Sequence, residues 1–202
     1  ATNNGFAVAC SIGAKEATRD NLLFLNPDCN ITNKALEKML EVLESSVSIG
    51  AVGPLSNFAA GWQNLGYYEC PLVEHGNDPK FAQRIADDLP RYSEKKNVKL
   101  LIGFCLLISK DLYDDIGGMD VNLPLGMDDL DLSWRLRLVG KELRVATNAF
   151  VYHYGQVSFN STSSDEVDAL QSLSRVNFSQ KLITHYGSVD AVPDPWELWE
   201  ID

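Results

Sequence analysis

The segment 123–155, LPLGMDDLDLSWRLRLVGKELRVATNAFVYHYG, carries most of what this chain says about itself. Gly126 and Met127 lead into three carboxylates, Asp128, Asp129 and Asp131. An amphipathic run follows, with Leu132, Leu136 and Val139 interleaved with Arg135 and Arg137, and Gly140-Lys141 marks a helix stop. Two short β-like runs, Leu143 to Ala146 and Ala149 to Tyr152, then end in His153. The spacing predicts a helix that begins at the acidic group, where free backbone N–H groups and the macrodipole favour negative charge. An Asp held there is expected to stay ionised at neutral pH, as a general base must. The same residues also have a plain structural reading. Acidic helix starts are common, Asp131 with Arg135 is an ordinary i,i+4 pair, and a lone histidine is more often structural than a ligand.

Outward from this segment, apolar runs alternate with helical patterns, which is the signature of an α/β domain. Asn21 to Leu25, NLLFL, reads as a buried strand. It stops at Asn26-Pro27-Asp28, because proline cannot donate to a ladder. Asp28 is thereby displayed at the carboxyl edge of a strand, where open α/β sheets bind ligands; taken alone, it is a plain Pro-Asp turn. Thr32 or Asn33 is expected to cap a helix over 34–45 with Leu36, Met39, Leu40 and Leu43 on one face. Residues 48–52 read as a second buried strand and 98–109 as a long central strand broken by Gly103, the three runs sharing one mixed sheet. Residues 4–18 read as a turn followed by a small-residue helix, and helical patterns cover 79–89, 110–116 and about 165–185. The segment 55–76 is long, irregular and aromatic, and loops of this kind usually carry function. Trp62, Gln63, Tyr67 and Tyr68 within it are sugar-contacting residue types, equally able to pack the loop onto the domain. Residues 1–187 are read as one domain and 188–202, VPDPWELWEID with its neighbours, as an acidic and aromatic tail that docks on it.

The chain has 202 residues and a formal net charge of -11. A surface of that sign repels phosphate backbones, so nucleic acid is not an expected partner, and an anionic nucleotide needs a local remedy such as a metal ion. The cysteines at 10, 29, 70 and 105 have no C-x-x-C spacing, which points away from a zinc site or a disulfide framework and toward a reducing compartment. The longest apolar run, residues 100–108, is too short to span a bilayer. No secretory signal is visible, so the N-glycosylation patterns at Asn30, Asn160 and Asn177 are read as chance and a cytoplasmic location is expected.

Several pieces in order resemble the family-2 inverting glycosyltransferases of GT-A fold. They are Asn4-Gly5-Phe6 with Ala9 and Gly13, FLNPD (24–28), VGPLSN (52–57), GFCLLISKD (103–111), IGGMD (116–120), DDLDLSWRLR (128–137) and VYHYG (151–155). The match covers about residues 3 to 187. The resemblance implies a GT-A-like, Rossmann-like mixed sheet flanked by helices. It also implies transfer of a hexose from a nucleotide-diphosphate sugar to an acceptor hydroxyl with a Mn2+ or Mg2+ cofactor. Asn26-Pro27-Asp28 looks like the family's D-x-D element, with Asp28 meeting the metal and Asn26 standing where many members have Asp. Asp129 looks like the general base, and His153 is similar to the histidine that completes the metal and diphosphate site. Asn4, Gly5, Asn26 and Asp28 fall on the donor side. Asn57, Trp62, Gln63 and Asp128 fall on the acceptor side, with Asp131 and Arg135 in support.

Family members begin with further strands that hold the donor's base and ribose, and here the chain starts at the Asn-Gly element. The fold is therefore expected to be N-terminally shortened. An exposed sheet edge would then be covered by another copy in a homo-oligomer or by the Trp196–Trp199 tail. Two other readings compete: a sugar- or partner-binding relative without turnover, and a nucleotidyltransferase of related fold. The latter wants a basic, glycine-rich loop near the start that is not visible.

Overall fold

Apolar runs far apart in sequence are drawn side by side by their need to pair backbone groups while burying both faces. The computed structural model describes residues 5–68, 70, 72–89, 96–155 and 164–200. Strands β1 (Asn21–Leu25), β2 (Cys29–Ile31), β3 (Ile49–Leu55), β5 (Cys105–Ser109) and β6 (Glu142–His153) form a sheet in the order β1-β5-β3-β6-β2. Strand β4 (Lys96–Val98) also pairs with β6, along its first half. The β3–β6 pair is parallel and the others are antiparallel, so the sheet is mixed, as expected. All seven residues of β3 are buried, the pattern of a strand covered on both faces.

Helices supply that cover. Helix α2 (Ala35–Glu44) packs on one face through Met39, Val42 and Leu43 against Val52, Leu107 and Val151. On the other face, α1 (Phe6–Glu16), α3 (Ala82–Asp88) and α5 (Asp128–Leu138) bring Ala7, Ile85, Leu132 and Leu136 onto Leu55, Leu106, Ile108 and Phe150. The short α4 (Lys110–Asp115) is capped by Ser109, whose hydroxyl accepts the Leu112 N–H. A third cluster joins Trp134 of α5 to Phe178 and Leu182 of α6 (Ser164–Tyr186) and to Leu198 and Trp199 of α7 (Pro195–Trp199).

Several sequence expectations are corrected. The 98–109 run is not one strand: β4 ends at Val98 and β5 begins at Cys105. Between them the backbone donors go to side chains, Leu101 N–H to Ser133 Oγ at 3.1 Å and Ile102 N–H to Gln63 Oε1 at 2.6 Å, so no ladder forms there. The two β-like runs before His153 are one strand instead, with a register shift opposite Pro54, which has no N–H to give. Helix α2 is capped neither by Thr32 nor by Asn33. Lys34 takes the N-cap position with φ 63°, and the Thr32 hydroxyl donates to Phe150 O. Its buried face is Ala35, Met39, Val42 and Leu43, while Leu36 is exposed. The tail does not cover the β1 edge. It docks on α5 and α6, fixed by Arg137 Nη2 to Leu198 O at 2.6 Å and Lys99 Nζ to Glu197 O at 2.9 Å. No described helix is long and apolar enough to cross a membrane.

Asp131 is fully buried at the junction of α5 and α6. It meets Arg135 Nη2 at 2.6 Å and Lys181 Nζ at 2.5 Å, and Lys181 also reaches Asp120 Oδ2 at 2.9 Å. Arg135 Nη1 donates to Ile116 O at 2.8 Å, which ties in the turn after α4. Removing one partner of such a buried network leaves the others charged and unpaired. Asp131→Asn is expected to cost about 3 kcal/mol in urea unfolding, with the Asp128→Asn variant measured beside it as a control that spares the network.

Candidate active site and metal centre

Pro27 ends β1 and turns the chain directly into β2, where Cys29, Asn30 and Ile31 lie opposite His153, Tyr152 and Val151 of β6. The turn is closed by Asn26 N–H to Phe104 O at 2.8 Å and Tyr154 N–H to Asp28 O at 2.9 Å. This register sets Asp28 Oδ1 3.3 Å from His153 Nε2. The imidazole is held on several sides. Asn57 pins its backbone with two hydrogen bonds, Nδ2 to His153 O at 3.0 Å and His153 N–H to Oδ1 at 2.9 Å. Phe104 stacks on the ring at 5.2 Å and Phe58 meets it edge-on at 5.5 Å.

His153 Nδ1 lies 2.8 Å from Phe58 O. A carbonyl only accepts, so Nδ1 carries a proton. Nε2 can then face Asp28 in two ways: as the N–H of a charged ring it donates to the carboxylate in an ion pair, and as the lone pair of a neutral ring it shares a cation with it. Cys29 adds a third donor, and one ligand atom from each of the three residues lies within 4.8 Å of the others. The residues present therefore fit a divalent ion.

Asp128 and Asp129 open α5 after Gly126 and Met127, both left-handed at φ 75° and 67°. Met127 occupies the N-cap without a side-chain hydrogen bond, so Asp128 is a helical residue rather than the cap. The Asp129 carboxylate is turned onto Gly103 and takes its N–H; a Cβ at Gly103 would stand 2.7 Å from Asp129 Oδ1 and push the carboxylate aside. Asp128 and Asp129 also hydrogen-bond each other through their side chains, which requires a proton between them. Burial raises both carboxyls, and the charge of Asp128 lifts Asp129 well above the usual range. The helix start favours the ionised form of Asp129, and burial and the like charge of Asp128 act against it by raising its affinity for a proton. Cys10 of α1 senses the same pair, its thiol pushed up to about 12 by burial and then by Asp128 and Asp129.

Other predicted residues have different surroundings from those the sequence suggested. The Gln63 amide is buried and spans Pro54 O at 3.2 Å and Ile102 N–H at 2.6 Å, so it braces the loop instead of facing an acceptor. Trp62 has Lys96 Nζ 2.8 Å from the centre of its ring, which occupies that face. Asn57 spends its amide on His153, and Asp131 and Arg135 belong to the buried network. Gly5 begins α1 at φ 85°, where a Cβ would stand 2.5 Å from Pro124 O, so the start of α1 packs on the approach to α5. Asn26 sits in the turn beside Asp28, while Asn4 lies outside the described residues. Cys29, Phe58, Gly103 and Phe104 were not among the predicted site residues, although Cys29 follows FLNPD directly and Gly103-Phe104 open GFCLLISKD. A groove of about 590 Å³ runs between α1 and β1 past Phe6, Cys10, Phe24 and Pro27 and so reaches the residue before Asp28. A wider one of about 700 Å³, along α6, contains none of the site residues.

The mixed sheet flanked by helices is that of the GT-A fold. The sequence pattern described as Glycosyl transferase family 2 matches residues 1–117, and the chain belongs to that family. The matched part contains Asp28 and ends before Asp129 and His153. No curated protein matches the sequence. Among solved structures, the chain is similar to GalNAc-T7 in complex with UDP, GalNAc and Mn2+, with 16% identity and a TM-score of 0.53 over 74% of this chain and 30% of that one. It also aligns with the mannosyltransferase PcManGT from Pyrobaculum calidifontis in complex with GDP-Man and Mn2+, at 13% identity and a TM-score of 0.47 over 91% and 43%. The chain thus spans less than half the length of either.

A carboxyl whose folded pKa lies above its unfolded value binds its proton more tightly when folded. The folded state then loses stability as pH rises from the ordinary Asp range toward the raised one. Asp129→Asn is accordingly expected to raise the thermal midpoint at neutral pH. The gain should vanish below about pH 4, where Asp129 is protonated in both states. Thermal unfolding of both proteins across that range checks this.

Proposed function

We propose that the chain is the catalytic part of a metal-dependent, inverting glycosyltransferase that moves a sugar from a nucleoside diphosphate to an acceptor hydroxyl. The single observation that carries the reading is the approach of Asp28 Oδ1 and His153 Nε2 to 3.3 Å, with Nδ1 engaged by Phe58 O so that Nε2 is the ring nitrogen a metal would take. These two residues would hold a Mn2+ or Mg2+ ion; carboxylate oxygen suits either, and the imidazole favours Mn2+. Such an ion would offset the charge that develops on the departing diphosphate. The groove between α1 and β1, which ends at Pro27, offers the adjoining room for the donor.

Asp129 is the general base. Its carboxylate takes the proton of the acceptor hydroxyl as the acceptor oxygen bonds to the anomeric carbon and the bond to the diphosphate breaks on the opposite face. Attack and departure on opposite faces invert that carbon. The Gly103 N–H holds the carboxylate in place, and Asp128 raises its basicity. A base whose pKa lies nearer the working pH takes a proton more effectively than an ordinary Asp. The chain from Gly103 to Phe104 links this carboxylate to the stacked imidazole of His153.

The test is a transfer assay with UDP-, GDP- and dTDP-sugars in Mn2+. Asp129→Asn is expected to bind donor and Mn2+ as the parent does and to lower transfer roughly a hundredfold or more. Asp28→Asn is expected to lose Mn2+ binding itself. Parent activity should fall as pH drops, along a limb displaced above the ordinary carboxylate range. Donor binding without transfer under every condition would identify a sugar-binding relative instead, and transfer unaffected by Asp129→Asn would remove the base assignment.

A further inference from the structure

We propose that Cys29 is a third protein ligand of the metal centre and strengthens its preference for thiophilic divalent ions, Zn2+ and Co2+, over Mn2+ and Mg2+. The inference rests on the reading of Asp28 and His153 as metal ligands. Cys29 and His153 are directly opposite in the antiparallel β2–β6 ladder, so their side chains leave the same face of the sheet. Asp28 joins them from the turn, and the oxygen, nitrogen and sulfur donors all lie within 4.8 Å of one another. Oxygen, nitrogen and sulfur ligands of one tetrahedral zinc ion stand about 3.3–3.6 Å apart. Small rotations of Asp28 and Cys29 toward the clamped imidazole therefore close the set. The thiol's present contact is a weak one to Phe104 O at 3.6 Å; burial and the Asp28 charge push its pKa up to about 12, a cost that a divalent ion bound beside it offsets. On binding, the Sγ–H proton passes to solvent and the thiolate bonds the ion.

The donor set changes which ion the site takes and what that ion leaves open. Carboxylate and imidazole already bind cobalt and zinc more tightly than Mn2+, and a thiolate widens that difference. A tetrahedral ion held by Asp28, Cys29 and His153 keeps one open position. A nucleoside diphosphate gripped through both phosphates needs two. A six-coordinate Mn2+ bound by Asp28 and His153 leaves enough positions for both. Zinc is thus expected to occupy the centre and to block transfer that Mn2+ supports, with Cys29 responsible for the difference.

The experiment uses the full chain with a phosphine reductant present. Co2+ is added and the near-ultraviolet thiolate-to-cobalt charge-transfer band is read, while Mn2+ binding is followed by electron paramagnetic resonance. The parent is expected to show the band and Cys29→Ser to lose it while still binding Mn2+. Zn2+ affinity, measured by competition, is expected to fall on the order of tenfold or more in Cys29→Ser. Mn2+ binding without a cobalt–thiolate band in the parent, or a band that persists in Cys29→Ser, overturns the role of Cys29 and leaves the Asp28–His153 reading standing. Binding of neither ion overturns both. Should Cys29→Ser fail to fold, cadmium NMR of the parent counts sulfur ligands directly; one is expected, and none overturns the proposal.

Discussion

Strand β6 holds the domain together, and the site depends on where it ends. It pairs with β3 along one side and with β4 and then β2 along the other. The last of these pairings sets Cys29 opposite His153, and the proline turn before β2 then leaves Asp28 no distance to travel. Sliding β2 by one residue would turn Cys29 to the other face and carry Asp28 away from the imidazole. The bulge opposite Pro54 matters for the same reason, because it sets how far along the sheet His153 is delivered.

Carboxylates on one short helix meet opposite electrostatic fates. Asp131 faces Arg135 and Lys181, and its charge is matched where it is buried. Asp128 and Asp129, a turn or less away, have each other and the Gly103 N–H but no described cation in contact. Burial without a counterion then raises their affinity for protons. The matched carboxylate braces α5 against α6, and the unmatched pair holds protons more tightly. Carboxylates two residues apart can differ in this way because the helix turns them to different neighbours.

The loop between β3 and α3 shows how a plausible surface becomes a brace. Gln63 crosses from Pro54 to Ile102, Asn57 clamps His153, and Lys96 covers a face of Trp62. Residue types suited to sugars are also suited to satisfying backbone groups where a strand is interrupted. The interruption at 99–104 creates that need, since its N–H groups have no strand beside them.

The sequence by itself determined the α/β class, the positions of β1, β3 and the main helices, and the turn that displays Asp28. These follow from local pattern: apolar runs of strand length, helical spacing, and a proline that cannot continue a ladder. The pairing of Asp131 with Arg135 one turn on was also legible. Only the tertiary structure decided that Cys29 joins Asp28 and His153, that residues 99–104 leave the sheet, that Asn57 and Gln63 are braces, and that Asp129 holds its proton tightly. Each depends on what a residue distant in sequence places beside it: His153 across from Cys29, Gln63 under Ile102, Gly103 against Asp129. Burial and register are properties of the packed chain, and periodicity along one segment does not contain them.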